Sequence, residues 1–128
     1  MALGDHRYLN LATFRRNGAE VRTPVWFAQV GDVLYVFTAG GSGKVKRLRN
    51  SPRVRVAPSD ARGALRGDWR DGVARLVTDG AAIARAQAAL RAKYGGQLRL
   101  LELVSRLTGR IRRRAWIEIT PPRSPNDA

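Results

Sequence analysis

Apolar residues follow two rhythms along this chain. Up to residue 78 they come in short runs and alternations broken by Gly, Asn and Asp. From residue 79 they take a helical period. The first rhythm predicts strands and the second predicts helices. Residues 8–15 carry Tyr8, Leu9, Leu11 and Phe14 and read as a strand. Asn17-Gly18 follows, a strong hairpin signal, expected as a tight turn with positive φ at both positions. Residues 21–30 return, Gly31-Asp32 turns the chain again, and residues 33–38 complete a three-strand meander. A glycine-rich stretch, Ala39-Gly40-Gly41-Ser42-Gly43, leads into a short basic helix expected over 44–50, with Ser42 as its N-cap. Ser51-Pro52 stops that helix. Residues 53–58 alternate Arg with Val, the mark of a strand with one wet face, and a fifth strand is expected over 69–78.

The Ala-rich segment 79–94 predicts a helix ended by Gly95-Gly96. Leu98, Leu101, Val104 and Leu107 predict another over 97–107, and residues 111–120, with Trp116, Ile117 and Ile119, predict a closing strand. The resulting order is β-β-β-α-β-β-α-α-β. Antiparallel hairpins dominate and strands do not alternate regularly with helices. That argues against a doubly wound parallel sheet and for a small β-barrel of six or seven strands with peripheral helices. Residues 1–120 are expected as one domain. Residues 121–128, with three prolines among polar neighbours, are expected as a disordered tail.

Composition removes several function classes. The chain has 128 residues and no cysteine, which excludes disulfides, thiolate metal ligands and cysteine catalysis. No apolar run is long enough to span a membrane. The polar N-terminus lacks a secretory signal, so a cytoplasmic location is expected. The formal net charge is +14. All but three of the 24 basic residues are Arg, the exceptions being Lys44, Lys46 and Lys93. Two readings stay open: a surface built to attract anions, or a GC-rich coding bias that inflates Arg, Ala and Gly together. The placement of the charges has to decide between them.

The chemistry concentrates in residues 36–49, VFTAGGSGKVKRLR. A strand delivers a flexible glycine loop to a helix start. Glycines let backbone N–H groups approach an anion closely, and the helix N-terminus adds unpaired donors and partial positive charge. Thr38 and Ser42 offer hydroxyls, and Lys44, Lys46, Arg47 and Arg49 place four cations within six residues. This is a phosphate cradle by local physics; a solvated basic helix is the competing reading. A nucleotide-triphosphate loop is excluded, because Thr38 stands where its first glycine belongs and Val45 where its Ser or Thr belongs.

Phe37-Thr38, Ser42, Lys44, Leu48 and Pro52 fall in the spacing of the phosphate-binding segment of pyridoxamine 5'-phosphate oxidase-like proteins, and Thr23-Pro24-Val25-Trp26-Phe27 resembles the strand that lines the flavin ring in that superfamily. With residues 43–48, residues 53–58, Trp69, Gly72, residues 74–76 and residues 93–95, the chain is most similar to the F420-dependent branch. The resemblance spans about residues 6–120. It implies an FMN-binding split barrel-like fold and a homodimer with two cofactor sites at the subunit interface. The implied cofactor is coenzyme F420, a deazaflavin with a phosphate and a polyglutamate tail, or alternatively FMN. The implied cofactor contacts are Thr23, Pro24, Val25, Trp26, Thr38, Ser42, Gly43, Lys44, Lys46, Arg47 and Arg49. Relative to the FMN-binding oxidases, Thr23 and Gly43 replace arginines and Ala28 replaces a lysine. The extra cations at positions 46, 47 and 49 suit a longer anion.

The remaining residues carry little chemistry. His6 is the sole histidine, no carboxylate pair has catalytic spacing, and no metal-ligand set or nucleophile motif is visible. No catalytic side chain is therefore assigned, which fits a protein whose cofactor carries the reaction. The expected activity is hydride transfer from the reduced cofactor to a small unsaturated substrate. A non-catalytic carrier of a deazaflavin or tetrapyrrole is an alternative. A nucleic-acid-binding barrel is disfavoured, because only nine aromatics must serve core and stacking alike. Trp26, Trp69 and the last strand are the expected dimer contacts. The basic run 110–114 reads as a solvated edge or a second anion contact.

Overall fold

The computed structural model describes residues 3, 6–39, 43–96 and 114–121. Six strands and two helices lie in the order β1 (Tyr8–Phe14), β2 (Glu20–Val30), β3 (Val33–Ala39), α1 (Gly43–Asn50), β4 (Arg53–Ser59), β5 (Arg70–Val77), α2 (Gly80–Tyr94) and β6 (Arg114–Thr120). The strands close into a barrel, β1-β2-β3-β6-β5-β4, with β4 paired back to β1. Every pairing is antiparallel. This is the mainly β split barrel with peripheral helices that the pattern predicts. The helix expected over 97–107, and all of the expected tail except Pro121, lie outside the described residues.

The first hairpin differs from expectation. Gly18 alone of its turn has positive φ, at 86°. Gly18 N–H donates to the Arg15 carbonyl, and Arg15 N–H donates to the Ala19 carbonyl. The loop is therefore the three-residue kind, a type I turn closed by a left-handed glycine. Asn17 keeps an ordinary backbone because its side-chain oxygen accepts the Ala19 N–H at 2.9 Å, which holds the turn locally.

Alternation along the strands sorts the side chains into two clusters. Leu9, Leu11, Val25, Phe27, Leu34, Val36, Val54, Val56, Ile117 and Ile119 fill the barrel. Ala28, Tyr35, Val77 and Trp116 face outward, where α2 covers them with Ala82, Ala86, Leu90 and Tyr94. Those four helix residues recur every four positions and so share one face. Asp79 caps α2 by accepting the Ala82 N–H at 3.0 Å.

Tyr94 reaches furthest. Its ring stacks on Trp26 at 4.6 Å. Its hydroxyl accepts the Phe27 N–H at 3.0 Å and lies 2.6 Å from the Arg7 carbonyl and 2.9 Å from the Phe27 carbonyl. The β1–β2 ladder runs only to the Tyr8–Trp26 pair. The hydroxyl thus serves backbone groups beyond the ladder's end, where an unmade bond would be costly.

The topology gives the barrel two distinct ends. Antiparallel order places the C-termini of β1, β3 and β5 beside the N-termini of β2, β4 and β6. Helix α1 connects β3 to β4 across that end, and its Leu48 joins the barrel core like a stopper. Arg15, Arg16, Lys44, Lys46, Arg47, Arg49, Arg53 and Arg114 all lie at this end. The charge is placed, not only abundant.

Candidate functional site

The cradle sequence is built on α1, an eight-residue helix. Val45 and Leu48 are its buried residues and set its orientation. Helical spacing then sets the four cations on two flanks: Lys44 and Arg47, three residues apart, share one, and Lys46 and Arg49, also three apart, share the other. Arg47 therefore lies on a different flank from Lys46 and Arg49. Ser42, with Gly40 and Gly41, lies outside the described residues.

The Lys44–Arg47 flank is the organised part. Arg47 Nε donates to Thr13 Oγ1 at 2.6 Å, and Thr13 is almost fully buried in β1. That bond draws the guanidinium back over the start of the helix. A Cβ on Gly43 would lie 2.6 Å from Arg47 Nη1, so the cation occupies the space that a side chain at position 43 would take. The missing arginine at 43 is thereby answered by a guanidinium from one helical turn later. Lys44 is half-buried, not on an exposed junction as the sequence suggests. Burial, and then the Arg47 charge, depress its pKa below the ordinary lysine value. Burial and the Arg15 charge lower that of Arg47 likewise. Both cations would be relieved by an anion at the helix N-terminus.

A second feature adjoins α1. An apolar cleft of about 250 Å³ is lined by Val45, Leu76, Val77, Ile83 and Trp116, with Arg49 and Arg114 among its walls. Arg114 packs on Phe37, its guanidinium carbon 4.5 Å from the ring centroid. Sequence reasoning missed this cleft because four elements widely spaced along the chain build it. The basic run 110–114 was its only signal. Thr38, at the end of β3, pairs with Ala115 beside this wall.

The β2 segment is dispersed by strand alternation. Val25 is buried in the barrel core, and Pro24 is exposed. Trp26 is occupied by the Tyr94 stack. Thr23 is half-buried, and its Oγ1 is enclosed without a hydrogen-bond partner. These four residues therefore do not present one face to a ligand. Trp69 lies between Arg22 and Arg55, 4.7 and 5.2 Å from their guanidinium carbons. Glu20 pairs with both arginines. The wet face expected of β4 is thus partly roofed. The last strand pairs on both sides within the closed barrel, so it offers a partner an outer face but no free edge. Among the described residues no cluster of His, Cys, Asp or Glu could hold a metal, and no helix is long and apolar enough to cross a membrane.

The architecture and the sequence agree with one family over nearly the whole chain: residues 2–124 match pyridoxamine 5'-phosphate oxidase. The chain belongs to the pyridoxamine 5'-phosphate oxidase family. Solved structures share its barrel. A conserved hypothetical protein from Mycobacterium tuberculosis is similar at a TM-score of 0.70 and 26% identity, over 94% of this chain and 76% of that one. The heme storage protein HutZ from Vibrio cholerae is similar at a TM-score of 0.70 and 16% identity, over 95% and 86%. An FAD-binding protein from Mesorhizobium loti is similar at a TM-score of 0.63 and 17% identity, over 94% and 83%. No curated protein matches at a significant level.

Proposed function

We propose that this protein binds a flavin-type cofactor with its phosphate at the N-terminus of α1. The observation that carries the reading is the paired, partly desolvated Lys44 and Arg47 beside Gly43, with no carboxylate among the described residues bonded to either. Family membership supports it. Coenzyme F420 is the preferred cofactor and FMN the alternative, because the cations of the flanks extend beyond what one phosphate needs.

The residues fit such a group in part. Lys44 and Arg47 would hold the phosphate, with Ser42 as an added donor. Lys46 and Arg49 would meet a trailing carboxylate separately, from the other flank. The apolar wall of Val45, Leu76 and Trp116 offers shelter from water to a ring or a substrate. When bound, the reduced deazaflavin supplies a hydride to a small unsaturated molecule. The chain itself positions, desolvates and neutralises, and no side chain need act as a nucleophile. The same reading makes the protein a homodimer that completes each site from two copies.

The test is parallel absorption and fluorescence titration with F420, FMN and heme. F420 should bind most tightly. Lys44→Ala should weaken it by about 1.5–3 kcal/mol, the scale of a charge-assisted hydrogen bond. Full occupancy by FMN without F420 binding would overturn the cofactor choice. Heme as the sole ligand would favour a carrier. Unchanged affinity in Lys44→Ala would place the anion elsewhere.

A further inference from the structure

The same end of the barrel has a second opening, outside the Gly43–Lys44 cradle. It is a cleft of about 440 Å³ between the β1–β2 hairpin, the last turn of α1 and the start of β4. Its working residues are Phe14, Arg15, Arg16, Asn50 and Arg53. The hairpin, the end of α1 and the start of β4 each bring an arginine or an amide to it.

The arginines are arranged, not merely abundant. Arg53 packs over Phe14, its guanidinium carbon 4.5 Å from the ring centroid, a contact that holds the cation at the cleft. Arg16 donates to Asn50 Oδ1 at 3.3 Å, tying the hairpin to the helix. Among the described residues, the carboxylates engaged in ion pairs serve Arg22, Arg55, Arg66 and Arg75, and none serves Arg15, Arg16 or Arg53. The C-terminus of α1 favours a nearby cation, but one short helix end does not offset three. Arg15 is also close enough to Arg47 to disfavour its charged form. The cleft is therefore a focus of positive potential for which the described residues supply no paired carboxylate.

We propose that this cleft binds a small polyanion, a molecule with two or more neighbouring carboxylate or phosphate groups. Guanidinium forks match either oxyanion in bidentate geometry, and the volume exceeds the need of a single phosphate. The proposal does not depend on which cofactor the cradle holds.

The experiment is calorimetric titration of the whole chain at low salt with two probes, inorganic tripolyphosphate and tri-glutamate, followed by amide NMR shifts at Gly18 and Ser51. Saturable binding is expected for at least one probe, and the probe that binds identifies the anion chemistry. The Arg15→Gln/Arg16→Gln variant should lose about tenfold or more in affinity, the scale of one lost charge-assisted contact. Both residues are exposed, and circular dichroism would verify the fold. The Arg62→Gln/Arg85→Gln variant removes the same charge from exposed sites elsewhere and should lose about twofold or less, the scale of a screened long-range effect. Equal losses in both variants would reduce the cleft to net charge and overturn the proposal. A larger loss in Lys44→Ala than in Arg15→Gln/Arg16→Gln would move the anion to the cradle, and an absence of saturable binding would end it.

Discussion

Tyr94 shows how much one side chain can decide. Its ring braces Trp26, and its hydroxyl engages the backbone of Arg7 and Phe27 where strand pairing stops. Tyr94→Phe keeps the stack and removes the hydroxyl. It should destabilise the fold by about 1–3 kcal/mol, the cost of leaving buried backbone groups unserved, measured by chemical denaturation. Burial is the chief reason that the Tyr94 pKa is raised from 10.0 to about 12. The folded state then holds the phenolic proton more tightly than the unfolded chain does. Its contribution is complete below pH 10 and is lost as pH rises through about 12. The denaturation midpoint should fall across that window in the parent, and the component due to Tyr94 should vanish in Tyr94→Phe. Nothing in the sequence marks Tyr94 for this role, because its partners lie 67 and 87 positions away.

At the scale of elements, α1 does two jobs with opposite faces. Leu48 seals the barrel, and the Lys44–Arg47 flank looks out from it. The two functions should separate by mutation. Leu48→Ala should cost about 2–5 kcal/mol in stability, as for other large-to-small core changes. Gly43→Ala should leave the melting temperature nearly unchanged, because the atom that a new Cβ meets is the mobile end of Arg47. It should nonetheless weaken cofactor binding by displacing that guanidinium, read by the same fluorescence titration. A large stability loss in Gly43→Ala with intact binding would mean that Arg47 is a structural strut alone. The helix itself was legible from its glycine-rich approach and its Ser-Pro stop. The split of its cations between two flanks follows from helical period, but which face is buried depends on Val45 and Leu48 finding the barrel.

For the whole molecule, Arg15, Arg16, Lys44, Lys46, Arg47, Arg49, Arg53 and Arg114 crowd the α1 end of the barrel, while at the opposite end Arg7, Arg62, Arg66 and Arg70 are interspersed with Asp32, Asp60, Asp68 and Asp71. This favours the reading of the charge as an anion-attracting surface over coding bias alone. Cofactor affinity should fall steeply with added salt, because exposed charge is screened within about 10 Å at 0.1 M, and a salt-insensitive Kd would contradict it. Static light scattering at micromolar concentration should give twice the mass of one chain. Among the described residues, the outer barrel surface and not a strand edge is open to such an interface, since β4 pairs with β1.

The sequence by itself determined what is local. Strand alternation, the Asn-Gly turn, the glycine loop and the Ala-rich period each act within a few residues, where steric preference and side-chain spacing suffice. It therefore predicted six strands in order, both described helices and the basic character of the segment that follows the glycine loop. Only the tertiary structure decided what depends on closure. Pairing β4 with β1 brings Arg15 and Arg16 beside Arg53, the seating of α1 sets Arg47 on Thr13, and the packing of α2 on the barrel sets Tyr94 against the backbone of Phe27. Such contacts join residues tens of positions apart, and the energy that selects them is the burial of a shared core, which no short window of sequence contains.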